Sequence, residues 1–280
     1  MHDVKAVILA RGLATRMRAP SASSGDDQLS PEQARAAAAG LKAMMPIEDG
    51  AGATARPFLD YLLSTLADAG YRDIGVVIGP EHDDIRRRYQ RDVTPSRVRL
   101  HWLVQAHALG TADAVLAAEA WVGPDPFIVL NADNLYPVDV LTRLRELPGP
   151  GLPAFERDEL VAQSNIPADR VAAFALLEVD ARADLRAIVE KPGREAMAAA
   201  GPRAMVSMNV WRFDARIFDA CRSVPQSPRG EFELPMAAAL ALEHGVRFRT
   251  FHARGEVLDL SRRTDVADVA RRLAGRTIQV

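Results

Sequence analysis

An apolar run over residues 4–10 empties into a glycine turn that closes on Thr15 and Arg16. Leu9, Ala10, Arg11 and Gly12 form the start of that turn. A buried strand followed by a loop of backbone N–H groups and one fixed cation is a way for α/β proteins to hold nucleotide phosphates. By itself the segment fits a tight strand-to-helix corner equally well. It has neither the G-x-G-x-x-G dinucleotide pattern nor the G-K-[ST] of a Walker loop. A phosphate-binding role therefore needs partners elsewhere in the chain.

Candidates for such partners recur along it. Asp133, in VLNADN, closes a predicted strand, and a carboxylate at that edge beside a phosphate loop suits Mg2+. A cap on the following turn is the plainer alternative. Asp259, in GEVLDLSRRTDV, precedes a predicted helix, as a second metal ligand or as an N-terminal cap. Glu190 and Lys191, in VEKP, end another predicted strand, where alternation sends neighbouring side chains to opposite faces. A glutamate accepts from hydroxyls and a lysine meets a phosphate as a point charge, although an exposed ion pair at a turn reads the same way. Gln105, Gly110 and Thr111 lie in VQAHALGTADAV: an amide reads the edge of a planar base and a glycine lets the base approach the backbone. A helix start with a threonine cap is the alternative there. Asn209 interrupts the apolar strand pattern MVSMNVWRF, and so faces solvent or a ligand.

The elements that must position these residues alternate. Strands are predicted over 74–78, 98–104 and 127–130, and helices over 57–70, 82–91, 111–121 and 138–147, which indicates right-handed βαβ units and a mainly parallel sheet. The segment 19–40 reads as a flap carrying an alanine-rich helix with Pro31 near its start, or as a tolerated surface insertion. PGPGLP, 148–153, punctuates the chain. Beyond it strands over 171–179, 185–189, 205–213 and 246–252 mix with helices over 194–200, 215–221, 233–243 and 264–274. That half reads as mixed or antiparallel, a wall facing the first.

Composition sets outer bounds. With 280 residues, 48% hydrophobic, 26% charged and a formal charge of −2, the chain is an ordinary globular one with no basic surplus for nucleic acid. Its single cysteine, Cys221, has no intrachain partner, which suits a reducing compartment. The first apolar run is too short for a signal peptide or a membrane span, so the expected location is the cytoplasm.

The order of these segments resembles the sugar-1-phosphate nucleotidyltransferases (nucleotide-sugar pyrophosphorylases), especially the shorter glucose-1-phosphate thymidylyltransferase-like type. That family begins with L-A-x-G-x-G-T-R-[LM], matched here by Leu9, Ala10, Gly12, Thr15, Arg16 and Met17. LKAMMPI supplies the signature Lys42 and Pro46; Gln105, Gly110, Thr111 and Ala112 match Q-x-x-x-x-G-T-A; Ala132, Asp133 and Asn134 echo G-D-N; 189–192 is V-E-K-P. The resemblance spans nearly the whole chain. It implies an α/β, Rossmann-like (GT-A-like) fold with a mixed, mainly parallel central sheet flanked by helices. It also implies a single domain over 1–280, with a nucleotide-binding half (1–147) and a sugar-phosphate-binding half (148–280).

By the same resemblance, Arg16, Lys42, Asp133 and Lys191 would be catalytic, and Leu9, Ala10, Arg11, Gly12, Gln105, Gly110 and Thr111 would bind the nucleotide. Ala175, Glu190, Lys191 and Asn209 would bind the sugar phosphate, while Asp133 and Asp259 would hold Mg2+. The implied partners are a nucleoside triphosphate and a sugar 1-phosphate; enzymes of this type are commonly dimers or tetramers, which allows a homo-oligomer. Three departures stand out: Ala14 replaces the second loop glycine, Arg11 stands where a small residue is usual, and Leu41 replaces a proline. Ala175 likewise takes the place of a glycine often found near the sugar. Two alternatives stay open, a catalytically silent nucleotide-sugar-binding regulator on this fold and a nucleotidyltransferase for a non-sugar phosphate.

Overall fold

The computed structural model describes residues 4–12, 14–19, 29–48 and 55–280. Of the flap expected over 19–40, residues 20–28 lie outside the described residues, and its helix is Pro31–Ala39, opened by a Ser30 and Gln33 capping box. A ten-stranded sheet runs through the molecule. Its strands are β1 (Lys5–Leu9), β2 (Asp73–Ile78), β3 (Arg99–Val104), β4 (Phe127–Asn131), β5 (Gly151–Glu156), β6 (Leu176–Val179), β7 (Leu185–Val189), β8 (Met205–Val206), β9 (Trp211–Phe213) and β10 (Arg249–Ala253). The spatial order is β7-β6-β8-β5-β9-β4-β1-β2-β3, with β10 beside β5. Strands β3, β2, β1 and β4 are mutually parallel, and β9 and β8 turn the sheet antiparallel beyond them.

Alternation along β1 explains why the sheet is covered on both faces. Ala6 and Ile8 enter one core with Phe58, Leu62 and Leu66 of the helix Phe58–Asp68. Val7 and Leu9 enter the other with Val115, Trp211 and Phe218. Cys221 belongs to that second core, and burial pushes its thiol up to about 12, so it stays a protonated spectator.

Four expected elements differ. The helix over 111–121 breaks into Thr111–Leu116 and Glu119–Val122, because the chain tightens through a bond from Ala118 N to Val115 O (3.0 Å). The strand over 171–179 begins only at Leu176; Ala168–Val171 is a helical turn, since a short apolar run does not distinguish a buried turn of helix from a strand. The strand over 205–213 is two, β8 and β9, broken where Asn209 takes φ 55°. PGPGLP is no mere punctuation, because its last residues open β5 in mid-sheet. A Cβ on Gly151 would lie 2.2 Å from Arg249 O, so glycine there admits the neighbouring strand.

Candidate functional site

Because β1, β2, β3 and β4 are parallel, their carboxyl ends share one edge, where the chain leaves them in register. Ala10 N donates to Val77 O (2.9 Å), Gln105 N to Ile78 O (2.9 Å) and Ala132 N to Leu9 O (3.1 Å). This is the edge at which open α/β sheets accept ligands. A cleft of about 230 Å3 opens there, lined by Leu9, Ala10, Arg11, Gly12, Lys42, Gln105, Gly110, Thr111 and Asp133. Ala43, Ala108, Ala114 and Glu231, none of them singled out from the sequence, complete much of its wall. Arg16 is exposed and outside that lining.

The departures from the loop motif now have physical accounts. Ala14 adopts the left-handed conformation a glycine would take, with φ 51° and ψ 33°. The cost, about 1–2 kcal/mol, is largely offset by burying its methyl, about 0.8 kcal/mol, together with the chain entropy a glycine would lose. The Arg11 guanidinium turns to the Glu81 carboxylate (Nε and Nη2, 3.3 Å each) and to the carbonyl of Gln105, tying the loop to the ends of β2 and β3.

Asp133 and Asp259 meet through a short ribbon. Asn134 pairs antiparallel with Asp259, and Leu260 N donates to Asp133 O (2.8 Å). Lys42 Nζ lies 2.7 Å from Asp133 Oδ2. Asp259 is buried, accepting from Arg170 Nη1 (2.7 Å) and Ser261 N (3.0 Å) at Oδ1 and from Asn134 Nδ2 (3.1 Å) at Oδ2. Burial, and then the charge of Asp133, raise its pKa above the ordinary carboxylate value despite Arg170. Neither aspartate caps a helix by its side chain. The donor set fits a hard divalent cation: two carboxylates repelling one another, with Oδ1 of Asp133 free of hydrogen bonds among the described residues and Oδ2 of Asp259 met only by a neutral amide. A second cluster, Glu156, Glu159 and His252, already has Arg203 and Arg254 on its carboxylates at 3.6 and 3.3 Å.

The base-side residues are equally constrained. Gly110 has φ 115°, and a Cβ on it would lie 2.5 Å from Phe232 O and 2.7 Å from Phe232 N. Gly110→Ala is expected to cost about 2 kcal/mol in urea melts and to weaken nucleotide binding, since the obstacle is backbone and cannot rotate away. Thr111 is no cap: its hydroxyl accepts from Leu234 N (2.8 Å), stapling this shelf to the segment after Phe232.

The proposed sugar-phosphate residues gather separately, outside the cleft lining. Strand alternation does not place Glu190 and Lys191, because β7 stops at Val189 and Lys191 turns left-handed at φ 49°. Lys191 Nζ lies 3.0 Å from Glu233 Oε1, which Arg229 also meets at 3.0 Å. Burial, then the Glu233 charge, raise the pKa of Glu190. Asn209 follows Met208, whose carbonyl accepts from Tyr136 OH (2.6 Å), and Ala175 is buried with its carbonyl bonded to Ser207 N (2.9 Å). Among the described residues four non-glycines have positive φ, and three of them, Ala14, Lys191 and Asn209, stand in segments singled out from the sequence. Strain of that kind clusters where function over-determines the backbone.

Burial would raise the pKa of Glu233, but hydrogen bonds from Ser227, Lys191 and Arg229 outweigh it and hold the carboxyl low. A depressed carboxylate stabilises the fold above its unfolded pKa and loses that contribution as pH falls through the folded value. Glu233→Gln is therefore expected to cost about 1 kcal/mol above about pH 5, its cationic partners being half-exposed, with the gap closing in more acidic urea melts.

A family model described as Nucleotidyl transferase matches residues 42–273. The low-salt glycan biosynthesis nucleotidyltransferase Agl11 of Haloferax volcanii is 24% identical over 266 residues, covering 95% of this chain and 64% of that protein. A glucose-1-phosphate thymidylyltransferase of Streptomyces griseus is 25% identical over 269 residues, covering 96% and 65%. The UTP–glucose-1-phosphate uridylyltransferase AglF of Haloferax volcanii is 24% identical over 227 residues, covering 80% and 86%. The chain thus spans just under two thirds of the length of the first two. A crystal structure of UDP-glucose pyrophosphorylase complexed with UDP-glucose superposes with a TM-score of 0.70 at 17% identity, covering 96% of this chain and 97% of that one, a likeness of fold. With 232 of its 280 residues inside the matched span, the chain belongs to the nucleotidyl transferase family.

Proposed function

We propose that this chain transfers a nucleotidyl group from a nucleoside triphosphate to a sugar 1-phosphate, giving a nucleoside diphosphate sugar and pyrophosphate. The observation that carries the reading is the meeting of Asp133 and Asp259, 126 positions apart in the chain, beside Lys42 at the mouth of the cleft. Relatives named as thymidylyl- and uridylyltransferases of glucose 1-phosphate support thymine or uracil as the base and glucose 1-phosphate as the acceptor. Residues 1–147 form the nucleotide half in this reading and 148–280 the acceptor half.

The attacking oxygen belongs to a phosphate monoester, whose second pKa near ~6 leaves it largely ionised near pH 7. No general base is required. One acceptor oxygen bonds to the α-phosphorus while the bond from that phosphorus to the bridging oxygen breaks, and the electron pair leaves with pyrophosphate. Lys42 and Arg16 hold the triphosphate, and N–H groups around Gly12 add to that hold. Lys191 leaves Glu233 to take the acceptor phosphate, with Glu190, Asn209 and the backbone at Ala175 at the sugar. Gln105 and Gly110 meet the base. A divalent ion, with Mg2+ the best match to Asp133 and Asp259, supplies charge neutralisation at the α-phosphate when bound. Lining up two anions is the greater part of the task left to the protein.

Arg11 and Ala14 are the departures from the loop motif that would favour a silent regulator. Arg11 is occupied by Glu81 and the Gln105 carbonyl, and Ala14 reproduces a glycine conformation, so neither obstructs the cleft. The test is pyrophosphate release from UTP and dTTP with a panel of sugar 1-phosphates and Mg2+. Release with glucose 1-phosphate is expected. Binding of a nucleotide sugar without pyrophosphate from any pair overturns the reading in favour of a regulator. No helix among the described residues is long and apolar enough to cross a membrane.

A further inference from the structure

We propose that Asp113 is the positioning residue that decides which face of the base this site accepts. It locks the Gln105 amide with Nε2 turned inward and Oε1 offered to the cleft, so that the base must present a ring N–H, as uracil and thymine do at N3. The proposal rests on the reading of the cleft as a triphosphate site and adds to it the polarity of base recognition.

Gln105 is held at every point but one. Its residue is only 3% exposed. Its N–H donates to Ile78 O (2.9 Å), and its carbonyl accepts from the Arg11 guanidinium, itself pinned by Glu81. At the side chain, Nε2 donates to Gly110 O (3.1 Å) and to Asp113 Oδ2 (2.7 Å). A backbone carbonyl and an ionised carboxylate only accept, and the amide nitrogen has two hydrogens, so both donors are used. The flipped amide would set Oε1 against two oxygens. The orientation therefore follows from the partners. Oε1 has no hydrogen-bond partner among the described residues and is not sealed from solvent. Gln105 thus offers the cleft a single acceptor on a rigid mount.

Asp113 is the member of this set that carries the information. The Gly110 carbonyl alone engages one amide hydrogen and leaves the flip partly open. An anionic acceptor at 2.7 Å closes it, because charge-assisted bonds are about twice as strong as neutral ones. Asp113 sits in the first turn of the helix Thr111–Leu116, where a carboxylate is also favoured by the helix dipole. A base carrying a ring lone pair where uracil carries N3–H, as cytosine does, would meet oxygen against nitrogen.

The test is calorimetric binding of UTP, CTP and N3-methyl-UTP to the whole chain and to Asp113→Asn, with unfolding curves confirming that the variant is folded. An asparagine can donate to a flipped Gln105, so both amide orientations become available. The wild type is expected to bind UTP at least about tenfold more tightly than CTP or the N3-methyl analogue, the usual size of one satisfied against one unsatisfied hydrogen bond. In Asp113→Asn the UTP-to-CTP ratio is expected to fall to within about threefold. Asp113→Ser, which removes the anion without supplying an amide, gives an intermediate ratio and serves as the second variant. A ratio unchanged in both variants overturns the role of Asp113, as does wild-type binding indifferent to the N3-methyl group. Absence of binding by UTP, CTP, and also ATP and GTP titrated in the same way, overturns the triphosphate reading itself and this proposal with it.

Discussion

Asp133→Asn is expected to fold normally and to lose about three orders of magnitude in turnover, the size associated with removing a principal group that stabilises developing charge. The asparagine keeps the shape of the side chain and one carbonyl acceptor for Lys42, now 2.7 Å from Asp133 Oδ2. It removes the negative charge that Asp133 brings to the cleft beside the buried Asp259. The half-buried Lys42 contact adds only about 1 kcal/mol to stability, so the unfolding midpoint should move little while pyrophosphate release nearly vanishes. Pyrophosphate release at saturating UTP and glucose 1-phosphate, beside a urea melt, is the measurement. A variant with full turnover in Mg2+ would remove Asp133 from the site.

Arg170→Met is expected to act in the opposite way, chiefly on stability. Arg170 bridges Asp259 (Nη1, 2.7 Å) and Asp265 (Nη2, 2.8 Å), and the three side chains are only 6%, 8% and 6% exposed. Methionine fills much of the volume and none of the charge, leaving two buried carboxylates without their counter-ion and one of them facing Asp133 as well. Breaking a buried pair by removing one partner costs about 3–5 kcal/mol. The stranded carboxylates then hold protons more tightly folded than unfolded, so the penalty is fully present at neutral pH and shrinks as pH falls. Urea melts of both proteins across that range check it. A loss under about 1 kcal/mol at pH 7 would show that backbone donors such as Ser261 N and Arg262 N already suffice.

The same guanidinium ties the helical turn Ala168–Val171 to Asp259, some ninety positions further along the chain. Tyr136 makes a comparable link, with its hydroxyl on Met208 O beside Asn209 and its ring near both aspartates. Glu231 and Glu233 make a third, one lining the cleft and the other holding Lys191.

What the amino-acid order determined by itself was local and periodic. The apolar run of β1, the strand at 185–189, the helix after Pro31 and the stop at the end of the helix Phe58–Asp68 all follow from short-range preferences, and the motifs follow in order because each is a contiguous loop. Where an element's state depended on a distant partner, the order was silent or misleading. Gly151 reads as a breaker until Arg249 lies against it, and Asn209 reads as a strand residue until its neighbour Met208 is anchored by Tyr136. Whether Asp133 and Asp259 face one another, and whether Arg11 reaches a phosphate or turns to Glu81, were decided only by tertiary structure. The reason is that a hydrogen bond or ion pair between residues seventy or more positions apart leaves no period in the chain; its energy arises only once the sheet has set both partners on one edge.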